Sequence, residues 1–202
     1  MRIFPIASAA ALAAALFAFS RPAPAQEEGQ GDRSPSDYVR KGTVELGGAA
    51  HLMVAKDYSS FGLYPTFGWF VLDNIELSAI VGVTRVGQSL KDDQGKEQKV
   101  SRTQLLLLAE PSFHVPFSEA VFGFMGLGLG LAHEARTPGP GAGPGFCIAP
   151  RLGLNFVINH SGVFTPAIQA SYQTTDAIET PGGGSQAAHS SLGFQAGYTV
   201  IW

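Results

Sequence analysis

The sequence predicts an all-β protein, an eight-stranded antiparallel up-and-down transmembrane β-barrel, from three observations. Residues 42–202 alternate between apolar and polar side chains with a period of two, as strands do. Turn residues divide this region into eight segments, each longer than the ~9–11 residues that a tilted strand needs to cross a bilayer. The last segment ends in a polar-x-Gly-x-x-hydrophobic-x-aromatic pattern.

The composition excludes several other classes of protein. Charged residues make up 14% of the 202 residues, against ~25% in typical soluble domains. The 13 basic and 16 acidic residues give a net charge of −3, so no basic surface for nucleic acid is expected. One cysteine excludes an intramolecular disulfide framework. No apolar run after residue 25 approaches the ~18 residues of a spanning helix.

The first 41 residues predict export. Arg2 precedes an apolar, alanine-rich run that ends in Ala-Pro-Ala at 23–25, a cleavage pattern typical of a secretory signal peptide. Residues 1–25 are therefore expected to be removed. Residues 26–41 carry Gly, Pro, Ser and both signs of charge without periodicity, which predicts a flexible periplasmic leader. The predicted location is the outer membrane of a Gram-negative cell.

The strands are predicted in order at residues 42–55, 60–72, 75–87, 101–115, 119–134, 145–158, 162–174 and 188–202. The fourth and fifth contain apolar runs that resemble short buried helices. Four glycines between 123 and 130 argue against a helix in the fifth, because each costs ~1 kcal/mol relative to alanine.

The predicted connections alternate in length. Those at 73–74, 116–118 and 159–161 are tight turns, whereas those at 88–100, 136–144 and 175–187 are expected to be long loops. The fourth connection at that second end, at 56–59, is short. Tight turns at one end and longer loops at the other are typical of an outer-membrane barrel. The charged 88–100 loop is interpreted as solvated, with a surface contact site as the alternative.

The distribution of aromatic residues indicates which face meets lipid. Aromatic side chains on the apolar face cluster near strand ends, as in the girdles that barrels place at the two membrane interfaces. They are Phe61, Trp69, Phe113, Phe164, Tyr172 and Trp202. The apolar face is therefore predicted to contact lipid. A soluble periplasmic barrel, which would bury that face, is the alternative.

The C-terminal pattern consists of Gln195, Gly197, Val200 and Trp202. Here the sequence resembles the small bacterial outer-membrane β-barrel proteins of the OmpA and OmpX types, over residues 42–202. The resemblance implies that these four residues form the signal read by the barrel-assembly machinery, with periplasmic chaperones as further partners. It also implies contact with outer-membrane lipid and lipopolysaccharide. It implies no single activity, because this fold hosts adhesins, enzymes and scaffolds.

The lumen of an eight-stranded barrel is just wide enough to be filled by side chains. The alternation predicts a polar network of Glu45, His51, Glu76, Glu110, Arg151, Asn155 and Gln169, and it also points Tyr64, Phe70, His114 and Gln195 inward. Because buried charges must be paired, Arg151 is predicted to pair with Glu110 or Glu76. The network is interpreted as a side-chain filling that closes the lumen, with a gate based on exchange of ion pairs as the alternative.

No catalytic residue, cofactor or metal centre is predicted. His189 and Ser191 superficially resemble the His-x-Ser element of lipid A deacylases, but no neighbouring carboxylate would orient the histidine. The five histidines are too widely spaced for a metal site. The predicted function is a monomeric, membrane-embedded scaffold for surface display. A narrow gated channel for small solutes and a lipid A-modifying enzyme are the alternatives.

Overall fold

The computed structural model describes residues 35–55, 58–91, 97–137, 142–158, 161–179 and 185–202. The predicted signal peptide and most of the predicted leader lie outside these residues. A 3-10 helix (Pro35–Val39) precedes eight strands: β1 (Val44–Ala55), β2 (Tyr58–Leu72), β3 (Ile75–Lys91), β4 (Glu97–Pro116), β5 (Val121–Thr137), β6 (Ala142–Ile158), β7 (Gly162–Glu179) and β8 (Ser185–Ile201). Within the described residues, no helix is long and apolar enough to cross a membrane.

The strands form one closed sheet in sequence order, with every neighbour antiparallel and β8 returning to β1. This confirms the predicted eight-stranded, up-and-down barrel. The start of β1 and the end of β8 lie at one end of the barrel, with the β2–β3 turn at Asp73–Asn74, and we call this the turn end. Asn74, in this turn, has φ 66°, a left-handed conformation that asparagine adopts more readily than most residues. The opposite end is called the loop end.

At the loop end the strands are longer than the sequence predicts. β3 continues to Lys91 and β4 begins at Glu97, with their backbones paired at these two residues. β5 to β8 likewise extend into the segments predicted as loops at 136–144 and 175–187. The prediction of long loops at 88–100 and these two segments is therefore wrong. Where a hairpin extends beyond the apolar belt, water contacts both of its faces. The sequence therefore no longer alternates between apolar and polar residues, although the hydrogen bonds between the strands continue.

Side-chain alternation holds through the apolar runs of β4 and β5. In β4, Leu105 and Leu107 face outward and are about half exposed, whereas Leu106 and Leu108 are buried. In β5, the apolar residues from Met125 to Leu131 face outward, and the intervening glycines face the lumen. The apolar runs are therefore strands, as predicted. In β4, outward leucines alternate with inward leucines. In β5, an outward methionine and outward leucines alternate with inward glycines.

Two apolar clusters cross the lumen. The first, at the turn end, consists of Tyr38, Val39, Phe70, Phe122, Val163 and Ile201. The second lies nearer the middle and consists of Ile80, Leu106, Leu108, Ala132, Cys147 and Ala149, with Tyr64 packed against it. Along β4, the buried polar residues Glu110, Ser112 and His114 lie between the levels of these clusters. We call this polar layer the chamber.

The 3-10 helix Pro35–Val39 closes the turn end, and we call it the plug. The Tyr38 ring is 2% exposed and meets the rings of Phe70 and Phe122 edge to face, with centroids 5.4 and 5.2 Å apart. The Asn74 N–H donates to the Val39 carbonyl at 2.8 Å. Residues 35–39, which belong to the segment predicted as a flexible leader, are thus packed against the barrel, because Tyr38 and Val39 supply apolar surface.

The junction between β1 and β8 is paired along only part of its length. Residues Glu45–Ala50 pair with Ile201–Ala196, and pairing stops there, although both strands continue. The same register would place Leu52 opposite Phe194 and Val54 opposite Leu192. These side chains are instead 65–76% exposed, and three of them exceed every other large apolar residue described. We call this unpaired stretch the seam.

Candidate functional site: a polar chamber in the lumen

An ion pair between Arg151 and Glu110 lies at the centre of the chamber. The Arg151 Nη2 and Nε atoms lie 2.5 and 3.1 Å from Glu110 Oε1, and Glu110 is fully buried. The pair joins β4 and β6 across Gly126 of β5, where a Cβ atom would lie 2.7 Å from Glu110 Oε1. Glycine is therefore needed at 126 for the two charges to meet. Glu110 is one of the two partners predicted for Arg151.

Phe124 holds two members of the chamber in place. The Arg151 guanidinium lies over the Phe124 ring, 5.0 Å from the ring centroid, in cation–π geometry. The His114 ring stacks on the same phenylalanine, with centroids 5.7 Å apart. This aromatic contact limits how far the guanidinium can swing away from Glu110.

Glu76 is surrounded by hydrogen-bond donors. Its carboxylate accepts from Ser78 Oγ at 2.5 Å, from Ser112 Oγ at 3.2 Å and from His114 Nε2 at 3.0 Å. Gly68 makes room for it, because a Cβ atom there would lie 1.9 Å from Glu76 Oε1. The two serines were not part of the predicted network, although their positions in the alternation point them inward.

His114 is hydrogen-bonded through both of its ring nitrogens. Asn155 Nδ2 lies 3.2 Å from His114 Nδ1, and Asn155 Oδ1 in turn accepts from the Thr165 hydroxyl at 2.8 Å. On the other side of the ring, His114 Nε2 lies 3.0 Å from Glu76 Oε2 and 3.0 Å from Ser112 Oγ. The ring therefore links Glu76 of β3 to Asn155 of β6.

Glu45 lies next to Glu76, on the other side of Gly68. It is 5% exposed and pairs with Gly68 of β2 and Ile201 of β8. The hydroxyl of Tyr38, in the plug, and the hydroxyl of Thr199 both donate to its carboxylate. Burial, together with the nearby Glu45 carboxylate, raises the pKa of Tyr38 well above its usual value, so this hydroxyl remains a donor.

A small cavity lies beside Glu45. Its volume is about 30 Å³, enough for roughly two water molecules. It is lined by Tyr38, Glu45, Glu76, His114, Arg151, Asn155, Thr165, Gln195 and Thr199, among others. Glu45 Oε1 and Thr199 Oγ1 are both buried at this cavity. Sequence analysis did not identify Tyr38, Thr165 or Thr199 as part of this site.

His51 and Gln169 of the predicted network lie apart from these contacts. His51 Nε2 is 2.8 Å from Ser60 Oγ, and its Nδ1 is 3.3 Å from the Tyr64 hydroxyl, which is 2.9 Å from Thr84 Oγ1. This group lies toward the loop end of β1, β2 and β3. Gln169 is half-buried on β7, where it pairs with Arg151 in the strand register.

The predicted interface aromatics all lie on the outer face. Phe61, Trp69, Phe113, Phe164, Tyr172 and Trp202 are 39–51% exposed. In the C-terminal pattern, Gln195 and Gly197 face inward, whereas Val200 and Trp202 face outward. The backbones of Trp202 and Val44 bond to each other twice, at 3.1 and 3.2 Å, where β8 meets β1. Recognition of this pattern by the assembly machinery stays a prediction.

The residues considered for catalysis give no acid–base pair that the structure describes. Ser191 Oγ lies 2.7 Å from Ser171 Oγ, and the side chain of His189 lies outside the described part. Cys147 is buried in the second apolar cluster. Within the described ranges, no group of three or more His, Cys, Asp or Glu side chains is placed to hold a metal ion.

A closed eight-stranded antiparallel sheet, apolar outside and polar within, defines the class of protein: the chain has the fold of the small outer-membrane β-barrels. It is similar to the crystal structure of the outer membrane protein OprG from Pseudomonas aeruginosa, with 11% identity and a TM-score of 0.50 over 81% of this chain and 97% of that one. It is also similar to Neisserial surface protein A (NspA), with 11% identity and a TM-score of 0.53 over 78% of this chain and 94% of that one. No protein-family model matches the sequence, and no curated protein matches it.

Proposed function

We propose that the protein is an integral outer-membrane barrel that acts as a membrane-embedded scaffold, displays its loop-end hairpins and does not conduct solutes. The observation that carries this proposal is the inverted distribution of polarity. Large apolar side chains of all eight strands are exposed on the outside, whereas Glu76, Glu110 and His114 are buried in the lumen. Soluble monomers rarely expose continuous apolar patches above a few hundred Å².

The exterior supports lipid contact in a second way. Outward residues of β4 to β8, among them Phe113, Met125, Leu152, Ile168 and Phe194, line a shallow depression that is almost wholly apolar. A surface of this kind is stable against acyl chains and costly in water, at about 25 cal/mol for each Å² of apolar area. Only a closed barrel or a helix satisfies every backbone group in that surrounding.

The lumen supports a role without conduction. The plug and the first apolar cluster close the turn end, and the second apolar cluster lies between the chamber and the loop end. A solute would have to displace both clusters. The scaffold function therefore assigns interaction to the loop-end hairpins and leaves the lumen as structural filling.

A gated channel is the second candidate, and one observation favours it. Arg151 bonds only Oε1 of Glu110, while Glu110 Oε2 is buried without a partner among the described residues. A guanidinium with a loosely held acceptor can exchange partners more easily than one in a bidentate pair.

The membrane location is tested by cell fractionation and by gel mobility of unheated and boiled samples. The expected result is an outer-membrane fraction and a shift in mobility on boiling, because a folded barrel resists detergent. A mature chain that is monodisperse in buffer without detergent would refute membrane insertion.

Planar-bilayer conductance separates the scaffold from the channel. The intact protein is expected to give no conductance steps. Tyr38→Ala removes the ring that fills the turn end, so any conductance of the barrel should be larger in this variant than in the intact protein. Tyr58→Ala, at the loop end, is the matched control. Regular conductance steps from the intact protein would exclude the closed scaffold and favour the channel.

A further inference from the structure

We propose that the loop-end mouth of the lumen binds an oxyanion, a phosphate or carboxylate group, between Arg102 of β4 and Arg136 of β5. We call this pair of residues the arginine site. The proposal goes beyond the scaffold function, because it assigns a ligand to part of the lumen rather than to the hairpins. It rests on the register of the two strands, on the pairing of the two guanidinium groups and on the layer of side chains beneath them.

The two arginines are direct cross-strand neighbours. The Cα atoms of Arg102 and Arg136 are partners in the antiparallel register of β4 and β5. Two residues nearer the turn end on each strand, Gln104 bonds to Gln173 across the lumen and Glu134 is 4% exposed. Because side chains two residues apart share a face, both arginines face the lumen, and both are half-buried. Like charges directly opposite each other destabilise a sheet, so this arrangement favours a negative charge between them.

Among the described residues, a single carboxylate serves the two guanidinium groups. Glu134 accepts a hydrogen bond from Arg136 Nε, and the Arg136 side chain is 17% exposed. Arg102 forms neither an ion pair nor a side-chain hydrogen bond within the part of the chain that the structure describes. Two arginines against one glutamate leave one positive charge in excess at the site, which an anion from the surrounding water would neutralise.

The donors that remain suit an anion with several oxygen atoms. Glu134 bonds to Arg136 through Nε, so the two terminal nitrogen atoms of this guanidinium are left as donors. Arg102 adds a second planar fork of N–H groups. A guanidinium binds carboxylate and phosphate oxygens through two parallel hydrogen bonds, a geometry that a single spherical chloride ion does not match. The arginine site therefore favours an oxyanion over chloride.

The layer beneath the arginine site closes it toward the turn end. Gln104 Nε2 donates to Gln173 Oε1 at 2.5 Å, and this amide bridge spans the lumen from β4 to β7. The next inward residues of β4 and β5 are Leu106 and Ala132, which belong to the second apolar cluster. An anion that enters from the loop end meets the arginines first and is stopped by the amide bridge and the apolar side chains. The arrangement thus favours binding over passage.

The test is isothermal titration calorimetry on the mature, folded protein in detergent micelles. Sodium phosphate or sodium acetate is titrated into the protein in sodium chloride, at one pH and one ionic strength. We expect a saturable heat with about one site per barrel and a Kd on the order of 1 mM, because the site is open to water. Saturation with phosphate alone assigns a phosphate group as the ligand. Saturation with both anions assigns a general oxyanion site.

Three variants assign the heat to the site. Arg102→Gln removes the charge and the fork, so the Kd should rise at least about tenfold. This variant should unfold at no lower a temperature than the intact protein, because it relieves the contact between like charges. Arg102→Lys keeps the charge without the fork and should give an intermediate Kd. Arg85→Gln is the matched control on the exposed outer face of β3, and its Kd should be unchanged.

Two results would overturn the proposal. If neither anion gives a saturable heat, another part of the chain neutralises Arg102 and no ligand is bound. If Arg102→Gln binds the anions as tightly as the intact protein does, they bind elsewhere. Should Arg102→Gln fail to fold, Arg102→Lys decides, because a Kd equal to that of the intact protein would exclude recognition by the guanidinium fork. Neither result bears on whether the barrel is in the membrane or displays its hairpins.

Discussion

The turn-end and loop-end halves of the barrel are built differently. At the turn end, the plug, the first apolar cluster and the chamber fill the lumen, and β1 pairs with β8. Toward the loop end, the seam leaves β1 and β8 unpaired, although side chains still meet across the lumen, as Gln104 of β4 and Gln173 of β7 do at 2.5 Å. The turn-end half thus holds the plug, the ion pair and the paired junction, and we expect it to contribute most of the cohesion.

The seam shows what this difference means in a membrane. Unpaired backbone groups cost several kcal/mol each in hydrocarbon, so an open strand edge is not stable against lipid. The lumen side of the seam carries His51, Ser191 and Gly193, which are small or polar. Water entering from the loop end can therefore satisfy the unpaired groups. The turn end has no such need, because Val44 and Trp202 bond to each other.

The largest expected effect tests the turn-end half. Arg151→Met leaves Glu110 buried without a counter-charge, and loss of one partner of a buried pair typically costs about 3–5 kcal/mol. Urea unfolding followed by tryptophan fluorescence should show this loss, and gel mobility should show a lower melting temperature.

Its control is Arg85→Met, which removes an exposed arginine from the outer face toward the loop end. That change is expected to alter the unfolding free energy by less than ~1 kcal/mol. Equal losses in the two variants would contradict the unequal cohesion of the two halves.

A smaller effect comes from one substitution made in both halves. In Gly126→Ala, the new methyl group would lie 2.7 Å from Glu110 Oε1 and 2.8 Å from its Cδ, so the ion pair must shift. We expect a loss of roughly 1–3 kcal/mol, as in other overpacked interiors. In Gly193→Ala, no atom lies within 4 Å of the new methyl group.

The Gly193→Ala variant should be neutral or gain up to ~1 kcal/mol, because alanine restricts the unfolded chain. Urea unfolding of the two variants side by side gives the comparison. If Gly193→Ala destabilises the protein as much as Gly126→Ala, the lumen side of the seam is packed rather than open.

How much of this could be predicted from the sequence also differs between the halves. Alternation and the requirement to pair charges predicted the pairing of Arg151 with Glu110 or Glu76, because strand parity is a local property. The plug was missed, although Tyr38 and Val39 are an apolar pair in a polar leader, since nothing local indicates where such a pair docks. The seam could not be predicted, because closure joins strands that are about 150 residues apart.

The prediction with the smallest energetic effect concerns the seam, and it is tested by the rate at which disulfides form between β1 and β8. Ala50 and Ala196 are the last paired residues, and Leu52 and Phe194 occupy the next outward positions in the same register. In a Cys147→Ala background, the double variant Ala50→Cys/Ala196→Cys should form a disulfide readily under mild oxidation. Leu52→Cys/Phe194→Cys should form one at least about tenfold more slowly, because Cα atoms more than about 7 Å apart cannot be bridged without backbone movement. Since successive outward pairs have the same ladder geometry, only the separation of the strands distinguishes them. Equal rates would show that the barrel closes along its full length, and the two halves would then differ in lumen packing alone.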